Sequence, residues 1–458
     1  MTEPKQQKLG PRVQMSPHAL LAGSFVALIA AGTILLCLPW AHLPARVGLI
    51  DALFTATSAV CVTGLIVVDT GRDFTPAGQA IIMVLIQAGG LGVMTFAALA
   101  FQVLGRRMSL ASMAAVQDAL FQREAATEFG HTFKHILAAT FAIELLGAMM
   151  LFGFLNSGGA PGASVFSAAF HAISAFCNAG FSLNTESLIK WRGMHGAMAV
   201  FSLLIVLGGL GHTVLVELAR RAVLLVKNRG RSPVTRLSLN SRVVLTASGA
   251  LILAGAILIL ISGQTPAEGT VVEKVSGAVF QSVTARTAGF NSVNIGALPG
   301  AALFALIGLM FVGGSPGSCA GGVKTTTTAI WLARVRASLR GEARVHLFDR
   351  QISDDLVARA GLLVSLAVLW NAAGLFLLLI TEARTHAGTF LELLFEQISA
   401  FGTVGLSTGV TARLSTPGRL WIILTMFVGR TGPLTLAIWM VSGRGSRVQY
   451  PKGTVMIG

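Results

Sequence analysis

Charge is what this 458-residue chain has least of. Only 12% of its residues are Asp, Glu, Lys or Arg, about half the share of an ordinary soluble domain. Acid is scarcer than base, with 19 Asp+Glu against 34 Lys+Arg. That poverty excludes a solvated globular surface. With 53% apolar residues and a mean hydropathy of +0.74, the chain reads as a polytopic membrane protein. Its four cysteines, Cys37, Cys61, Cys177 and Cys319, show no CxxC or pairing pattern, which argues against a disulfide framework or a zinc site. No Walker motif is present, no GxGxxG follows a predicted strand, and no HExxH or recurrent acid pair occurs. The chain is therefore not expected to be an enzyme, to carry a cofactor or to drive transport with ATP itself. A net charge of +15 would suggest nucleic acid in a soluble protein. Here the basic residues fall between apolar blocks and report membrane orientation, so no nucleic-acid partner is expected.

Apolar windows of about twenty residues lie near 18–40, 77–104, 134–155, 196–226, 243–262, 300–331, 357–381 and 418–442, giving eight expected spans. Between the members of each pair lies a shorter apolar piece, near 51–63, 164–179, 272–288 and 389–404. These are too short to cross a bilayer and end in Gly-bearing segments. They read as re-entrant half-helices, tolerated at membrane depth only when buried in protein or lining an aqueous cavity. The N-terminus (Lys5, Lys8, Arg12) has no signal-peptide cleavage pattern, so the first span is expected to be retained. The linkers at 105–134, 220–242 and 332–359 are rich in Lys and Arg, which places them and both termini in the cytoplasm.

The half-helices end alike. They read Ser58-Ala59-Val60-Cys61-Val62-Thr63-Gly64-Leu65, Ser174-Ala175-Phe176-Cys177-Asn178-Ala179-Gly180-Phe181, Val283-Thr284-Ala285-Arg286-Thr287-Ala288-Gly289-Phe290 and Ser399-Ala400-Phe401-Gly402-Thr403-Val404-Gly405-Leu406. Successive glycines are 116, 109 and 116 residues apart. A second echo follows 24 to 28 residues later, at Gly89-Gly90-Leu91-Gly92, Gly208-Gly209-Leu210-Gly211, Gly313-Gly314-Ser315 and Gly429-Arg430-Thr431-Gly432. The period assigns four repeats, 20–106, 132–228, 243–338 and 357–443, between an N-terminal segment 1–19 and a tail 444–458. Each repeat crosses twice, so the copies are parallel and related by rotation about the membrane normal. The expected fold is all-α: eight spans and four re-entrant pore helices around a pseudo-fourfold axis. One glycine in a span is usually a packing residue, but four at matched positions point to a shared centre.

A glycine there lets consecutive carbonyls turn toward the axis, where a ring of them replaces the water around a cation. The flanking side chains are small or neutral, so backbone supplies the ligands. A monovalent cation fits such a ring, because hard divalent ions demand carboxylates and none recurs at the four turns. The candidate ion ligands are Val62, Thr63 and Gly64; Asn178, Ala179 and Gly180; Thr287, Ala288 and Gly289; and Thr403, Val404 and Gly405.

The four turns, their GGLG echoes, the run Gly313-Gly314-Ser315-Pro316-Gly317-Ser318-Cys319-Ala320-Gly321-Gly322-Val323-Lys324 and Gly429-Arg430-Thr431-Gly432-Pro433 together resemble the Trk/Ktr/HKT superfamily of potassium transporters. Eight spans with no extra N-terminal pair look most like its Ktr membrane subunit (KtrB). The resemblance implies potassium uptake, often with sodium as activator, by a homodimer with one pore per protomer in a bacterial plasma membrane. It also implies a cytosolic RCK-type ring (KtrA-like) that binds nucleotide and docks on the membrane subunit. From sequence alone the basic linkers serve equally well for orientation and contact with membrane lipid. Sodium-passing plant relatives often have Ser at the first turn, whereas this chain has Gly64. A Trk-type or sodium-conducting member stays an alternative, and so, more remotely, does a secondary transporter of another solute, although that would favour inverted repeats.

The run Gly313–Lys324 cannot hold a straight helix. In the resembling family it is a gating loop beneath the filter, and its candidate residues are Gly313, Gly314, Ser315, Gly317, Gly321, Gly322 and Lys324. Lys324 either tethers the loop or starts a cytoplasmic helix. Arg430 lies mid-span, where an unpaired cation is costly. It is expected either to raise the barrier under the filter or to clamp neighbouring carbonyls. Counting back thirteen residues from each turn glycine gives Asp51, Ser167, Ser276 and Glu392, read as half-helix caps. Glu144 and Asn371 are expected to make interhelical hydrogen bonds. His171 and His212 are expected to be packed rather than proton-relaying, Glu396 stands outside any acidic ring, and Arg286 is expected to point into the supporting shell. The apolar tail 450–458 suggests burial at a protomer interface.

Overall fold

The computed structural model describes residues 17–44, 46–103, 129–159, 164–227, 237–263 and 270–432. The first quarter runs α1 (Pro17–Leu36), a short α2 (Leu49–Val60), a single turn α3 (Thr70–Asp73) and a long α4 (Pro76–Val103). The second holds α5 (Phe129–Ser157), short α6 (Val165–Phe176), α7 (His195–Leu210) and α8 (His212–Lys227). The third holds α9 (Leu239–Ile261), short α10 (Val271–Thr284), α11 (Gly300–Phe311) and α12 (Thr325–Leu339). A two-stranded hairpin, β1 (His346–Leu347) with β2 (Arg350–Gln351), precedes α13 (Asp354–Thr381), short α14 (Phe390–Gly402) and α15 (Thr416–Thr431).

The short helices begin where local chemistry satisfies their first amides. Ser164, Thr270 and Thr389 each accept a hydrogen bond from the backbone three residues on. The expected caps Asp51 and Glu392 instead lie one turn inside, returning carboxylates to the amides of Gly48 (3.1 Å) and Thr389 (2.7 Å). This is the acidic half of a capping box, which places the acid at the third helical residue. Ser167 occupies the same inner position, and Ser276 lies deeper still, its hydroxyl donating to the Glu273 carbonyl. The count-back therefore found the helix starts one turn late.

Two of the eight expected spans are not continuous. Residues 196–226 bend by 109° between α7 and α8 at Gly211, whose φ of +83° an L side chain rarely adopts. Residues 300–331 break into α11, an irregular stretch and α12. Among the described residues 136–157, Leu239–Ile261 and Asp354–Thr381 are each long and apolar enough to cross a membrane, as is the bent pair α7/α8 taken together. Helices α1 and α4 run for 20 and 28 residues. The eighth expected span is helical as far as Thr431, and 433–442 lie outside the described residues.

Packing closes the molecule into a ring. Within the first, second and fourth quarters the short helix lies against both of its own longer helices, and in the third chiefly against α9; between quarters α4 packs on α6, α7 on α10, α11 on α14, and α15 on α2. Three apolar cores follow those seams. One joins Phe54, Val60, Leu393 and Met426, another Phe176, Phe201, Phe280 and Phe290, and a third Leu306, Phe395 and Leu406. The outward faces carry exposed Ile34, Leu146, Phe304, Leu369 and Phe376. Large apolar side chains turned outward are what a bilayer-facing surface requires. The ion pair of Arg419 with Asp51 (2.7 Å) ties α15 to α2 at one end of the ring.

Candidate functional site

The four Gly turns come together at the centre. A Cβ on Gly64 would overlap the Ala179 carbonyl and stand 3.1 Å from the Cα of Gly180; one on Gly180 would meet Ala288 O at 2.8 Å and Gly289 Cα at 3.1 Å. A Cβ on Gly289 would overlap Val404 O, 3.0 Å from Gly405 Cα, and one on Gly405 would overlap Thr63 O, 3.0 Å from Gly64 Cα. The order 64, 180, 289, 405 and back to 64 is a closed cycle of backbone against backbone, which leaves no room for any side chain at those positions.

The turns also share one backbone form. Val62, Asn178, Thr287 and Thr403 have φ of +56°, +58°, +79° and +49°, and two residues later the glycines have +90°, +69°, +72° and +92°. The residues between them stay at negative φ. Alternating signs of φ turn successive carbonyls to one side of the chain, as a carbonyl-lined ion site requires. A left-handed non-glycine residue costs about 1–2 kcal/mol, so four of them persist only where the surroundings hold them. A hydroxyl near the end of each short helix does so. Ser58 Oγ accepts from Gly64 N (3.0 Å), Ser174 Oγ donates to Phe181 O (2.8 Å), and Ser399 Oγ accepts from Gly405 N and donates to Leu406 O. In the third copy Thr284 bonds both N and O of Phe290 (2.8 and 2.9 Å). The octets place Val283 at that position, but in the third copy the hydroxyl comes from the next residue, Thr284, one position nearer the glycine.

The GGLG echoes have a different job from the turns. Gly89 on α4, Gly208 on α7 and Gly429 on α15 each press on a carbonyl in the last turn of their own short helix, at Val60, Phe176 and Phe401. In the third quarter Gly313 instead packs on Gly321 within the irregular stretch.

That stretch is an ordered loop. Gly313 N donates to Val323 O (2.9 Å) and Thr325 N to Gly314 O (3.0 Å). Ser315 N and Cys319 N donate to Gly209 O and Gly208 O, carbonyls that the break at Gly211 leaves without helical partners. Gly317 O accepts from the His212 amide (3.2 Å) and lies 3.1 Å from its Nδ1. Gly321 N donates to Thr403 Oγ1 (3.0 Å), and Gly322 abuts Gly402, which seats the loop directly against the fourth turn. Lys324 stands at the N-cap position of α12, and its ammonium donates to Ala320 O in the loop. Arg430, 6% exposed, donates to Cys319 O in the loop and to Gly89 O on α4 (2.5 Å). Of the two readings for this residue, the geometry is that of the carbonyl clamp.

Glu144 meets Gln87 (3.2 Å) and Asn371 meets Gln397 (3.3 Å), both between helices. Arg286 donates to Ser248 O and Oγ on α9 and lines a small cavity there with Gly209 and Gly314. With its nitrogen turned to Ile205 O (3.1 Å) and Ala175 O (3.0 Å), the Asn178 amide is fixed from behind. His171 is fully buried among Phe170, Trp191 and Phe201, and His212 serves the loop. The basic N-terminal segment, Arg106, Arg107, Arg123 and the tail 444–458 lie outside the described residues. Sequence reasoning missed the bracing hydroxyls, although Ser58, Ser174 and Ser399 recur at the head of their octets. It also missed the loop's contacts with the fourth turn, with His212 and with Arg430, which join residues 82 to 111 positions apart.

A family model described as TrkH, cation transport protein, matches residues 5–446. The chain is 40% identical over 454 residues to the Ktr system potassium uptake protein B of Bacillus subtilis, covering 97% of this chain and 98% of that one. It is 36% identical to the potassium/sodium uptake protein NtpJ of Enterococcus hirae (98% of each) and 37% identical to the Ktr system potassium uptake protein B of Vibrio alginolyticus (95% and 93%). In fold it is similar to the crystal structure of the potassium transporter TrkH from Vibrio parahaemolyticus, with a TM-score of 0.71 at 18% identity over 96% of this chain and 87% of that one. A full-length family match, near-end-to-end relatives and a shared helical fold agree: this chain belongs to the TrkH family of cation transport proteins.

Proposed function

We propose that this chain takes potassium into a bacterial cell through a ring of main-chain carbonyls contributed by Val62–Gly64, Asn178–Gly180, Thr287–Gly289 and Thr403–Gly405. The observation that carries the reading is the closed cycle in which each turn glycine lies against the carbonyl of the next turn. Four such turns, alternating in φ and flanked by neutral side chains, present oxygens without carboxylates, which suits a dehydrated alkali cation rather than a divalent one. The chain is then four parallel repeats of span, pore helix and span about one axis, with both termini cytoplasmic.

On this reading the loop Gly313–Lys324 is the gate. It is wedged between the fourth turn, the broken fourth span and Arg430, so moving it requires releasing the Arg430 clamp. The relatives named as parts of a Ktr system support a chain that works with a partner subunit, for which we propose a homodimer docked on a cytosolic nucleotide-binding ring; the relative named for potassium and sodium favours a role for sodium in the cycle. Rb⁺ uptake into liposomes holding the purified chain tests the core of this. Uptake should be competed by K⁺ more strongly than by Na⁺, and Gly289→Ala and Gly405→Ala should each abolish that preference. No Rb⁺ entry, or a preference indifferent to both substitutions, would sink the reading.

A further inference from the structure

Behind the turns lies a second set of contacts that none of the roles above uses. His171 Nε2 lies 3.0 Å from Ser182 Oγ, Ser292 Oγ donates to Gln281 Oε1 (3.3 Å), and Ser407 Oγ donates to Glu396 Oε1. In each case the first residue is on a short helix, the serine follows the turn glycine by two or three residues, and the pair is separated by eleven positions. Three chemically unlike side chains thus make the same bond at the same place in three of the four copies. All three are buried: His171 and Glu396 are 0% exposed and Gln281 1%. Glu396 does most, also accepting from Thr408 N (3.2 Å) and Thr411 Oγ1 (2.6 Å). In the first copy the matching helix residue is Thr55, whose hydroxyl bonds its own helix at Asp51 O, and the residue two past Gly64 is Ile66.

We infer that His171, Gln281 and Glu396 are positioning residues that hold the limbs leaving the second, third and fourth turns apart, and so help set the ring's preference for potassium over sodium. The inference rests on the carbonyl-ring reading. Each turn is already braced once, by Ser174, Thr284 or Ser399, whose hydroxyl reaches from the entering helix to the carbonyl one residue past the glycine. A turn braced at that one point can contract around a smaller ion. Braced a second time, two or three residues past the glycine, its oxygens keep the spacing that suits the larger ion, which is what discrimination by size of fit requires. The chemistry recruited is indifferent to side-chain type, provided it reaches the serine hydroxyl from a rigid helix, and that is the pattern seen. The first copy, without such a strut, is the limb left free to yield.

The test uses the full chain in liposomes, with Rb⁺ uptake competed by K⁺ or by Na⁺. Removing one hydroxyl at a time is the mildest probe: Ser182→Ala, Ser292→Ala, Ser407→Ala and their triple combination. The triple variant should lose about tenfold in K⁺/Na⁺ preference, the scale of one lost hydrogen bond, with total flux maintained. Glu396→Ala should lower the preference in the same direction, with Ser407→Ala lowering it little further on top, whereas Glu396→Gln, which keeps the amide oxygen that Gln281 offers Ser292 in the third copy, should preserve it. Ser415→Ala removes a comparable buried bond, to Glu382, away from the turns, and should affect stability alone. An unchanged preference in the triple variant, with Gly405→Ala destroying it in the same assay, overturns the strut role and leaves the ring intact. A preference that survives Gly405→Ala overturns the ring itself, and the struts with it.

Discussion

Gly429 and Gly308 are both helical glycines in expected spans, yet the same substitution should act on them in opposite ways. A Cβ at Gly429 would lie 2.8 Å from the carbonyl carbon of Phe401, 3.2 Å from its Cα, and closer still to its oxygen. These atoms are backbone and cannot swing aside, so α15 and α14 would have to part by about 1 Å. Overpacking of this kind costs about 1–3 kcal/mol, and more when only backbone can yield. The shift would also pull on Trp421 Nε1–Gln397 Oε1 (3.0 Å) and on the fourth turn just beyond Phe401. At Gly308 a Cβ meets nothing within 4 Å, so alanine there should gain up to about 1 kcal/mol of helix propensity. Gly429→Ala should therefore melt well below the parent in detergent and Gly308→Ala at or above it, followed by fluorescence-detected size exclusion after heating. Uptake should fall with the first and persist with the second. Equal melting of the two variants would refute the claim that the echo glycines exist to let a span touch its half-helix.

Arg430→Ala removes two hydrogen bonds from a cation to buried carbonyls, one of them in the loop. If that loop is the gate, the initial uptake rate should rise about tenfold, the effect of weakening the closed arrangement by ~1.4 kcal/mol; an unchanged or lower rate in well-folded protein counts against the gate. Outside the spans, burial by itself would raise the Glu382 carboxyl, but bonds from Ser415, Thr385 and Thr381 outweigh it and hold the group below its ordinary value. A lowered folded value means stability that is present above the ordinary carboxylate range and is lost as pH falls through the folded value. Thermal stability of the parent should thus drop below about pH 4.5 by more than that of Glu382→Gln, and parallel acid curves would contradict this.

The recurring Gly-bearing segments and the long apolar helices were legible because they are written in one dimension. Apolar length marks the long helices, and a quarter-chain period marks Gly64, Gly180, Gly289 and Gly405. Arg286 and Glu144 could be placed in a supporting role because a buried charge needs partners. What escaped was what depends on backbone sign and on contact. The break at Gly211 looks in sequence like the harmless continuation of the same motif at Gly92, where α4 runs on to Val103. The displaced brace of the third turn is invisible until Thr284, not Val283, is seen holding Phe290. The caps were mislocated by a turn because an acid at the third helical position and an acid at the cap look alike in a count.

By itself, then, the sequence determined that this is a membrane protein in which alike Gly-bearing segments recur at near-quarter spacing, because hydropathy and periodicity act locally and need no partner. Only the tertiary structure decided that those turns meet in a cycle and that the loop after α11 seals the broken end of α7. It also decided that Arg430 grips two carbonyls, one of them 341 residues away. Those outcomes turn on which backbone comes within a few ångströms of which other. No single stretch of chain encodes that; it follows only when four helical units have packed against one another and closed.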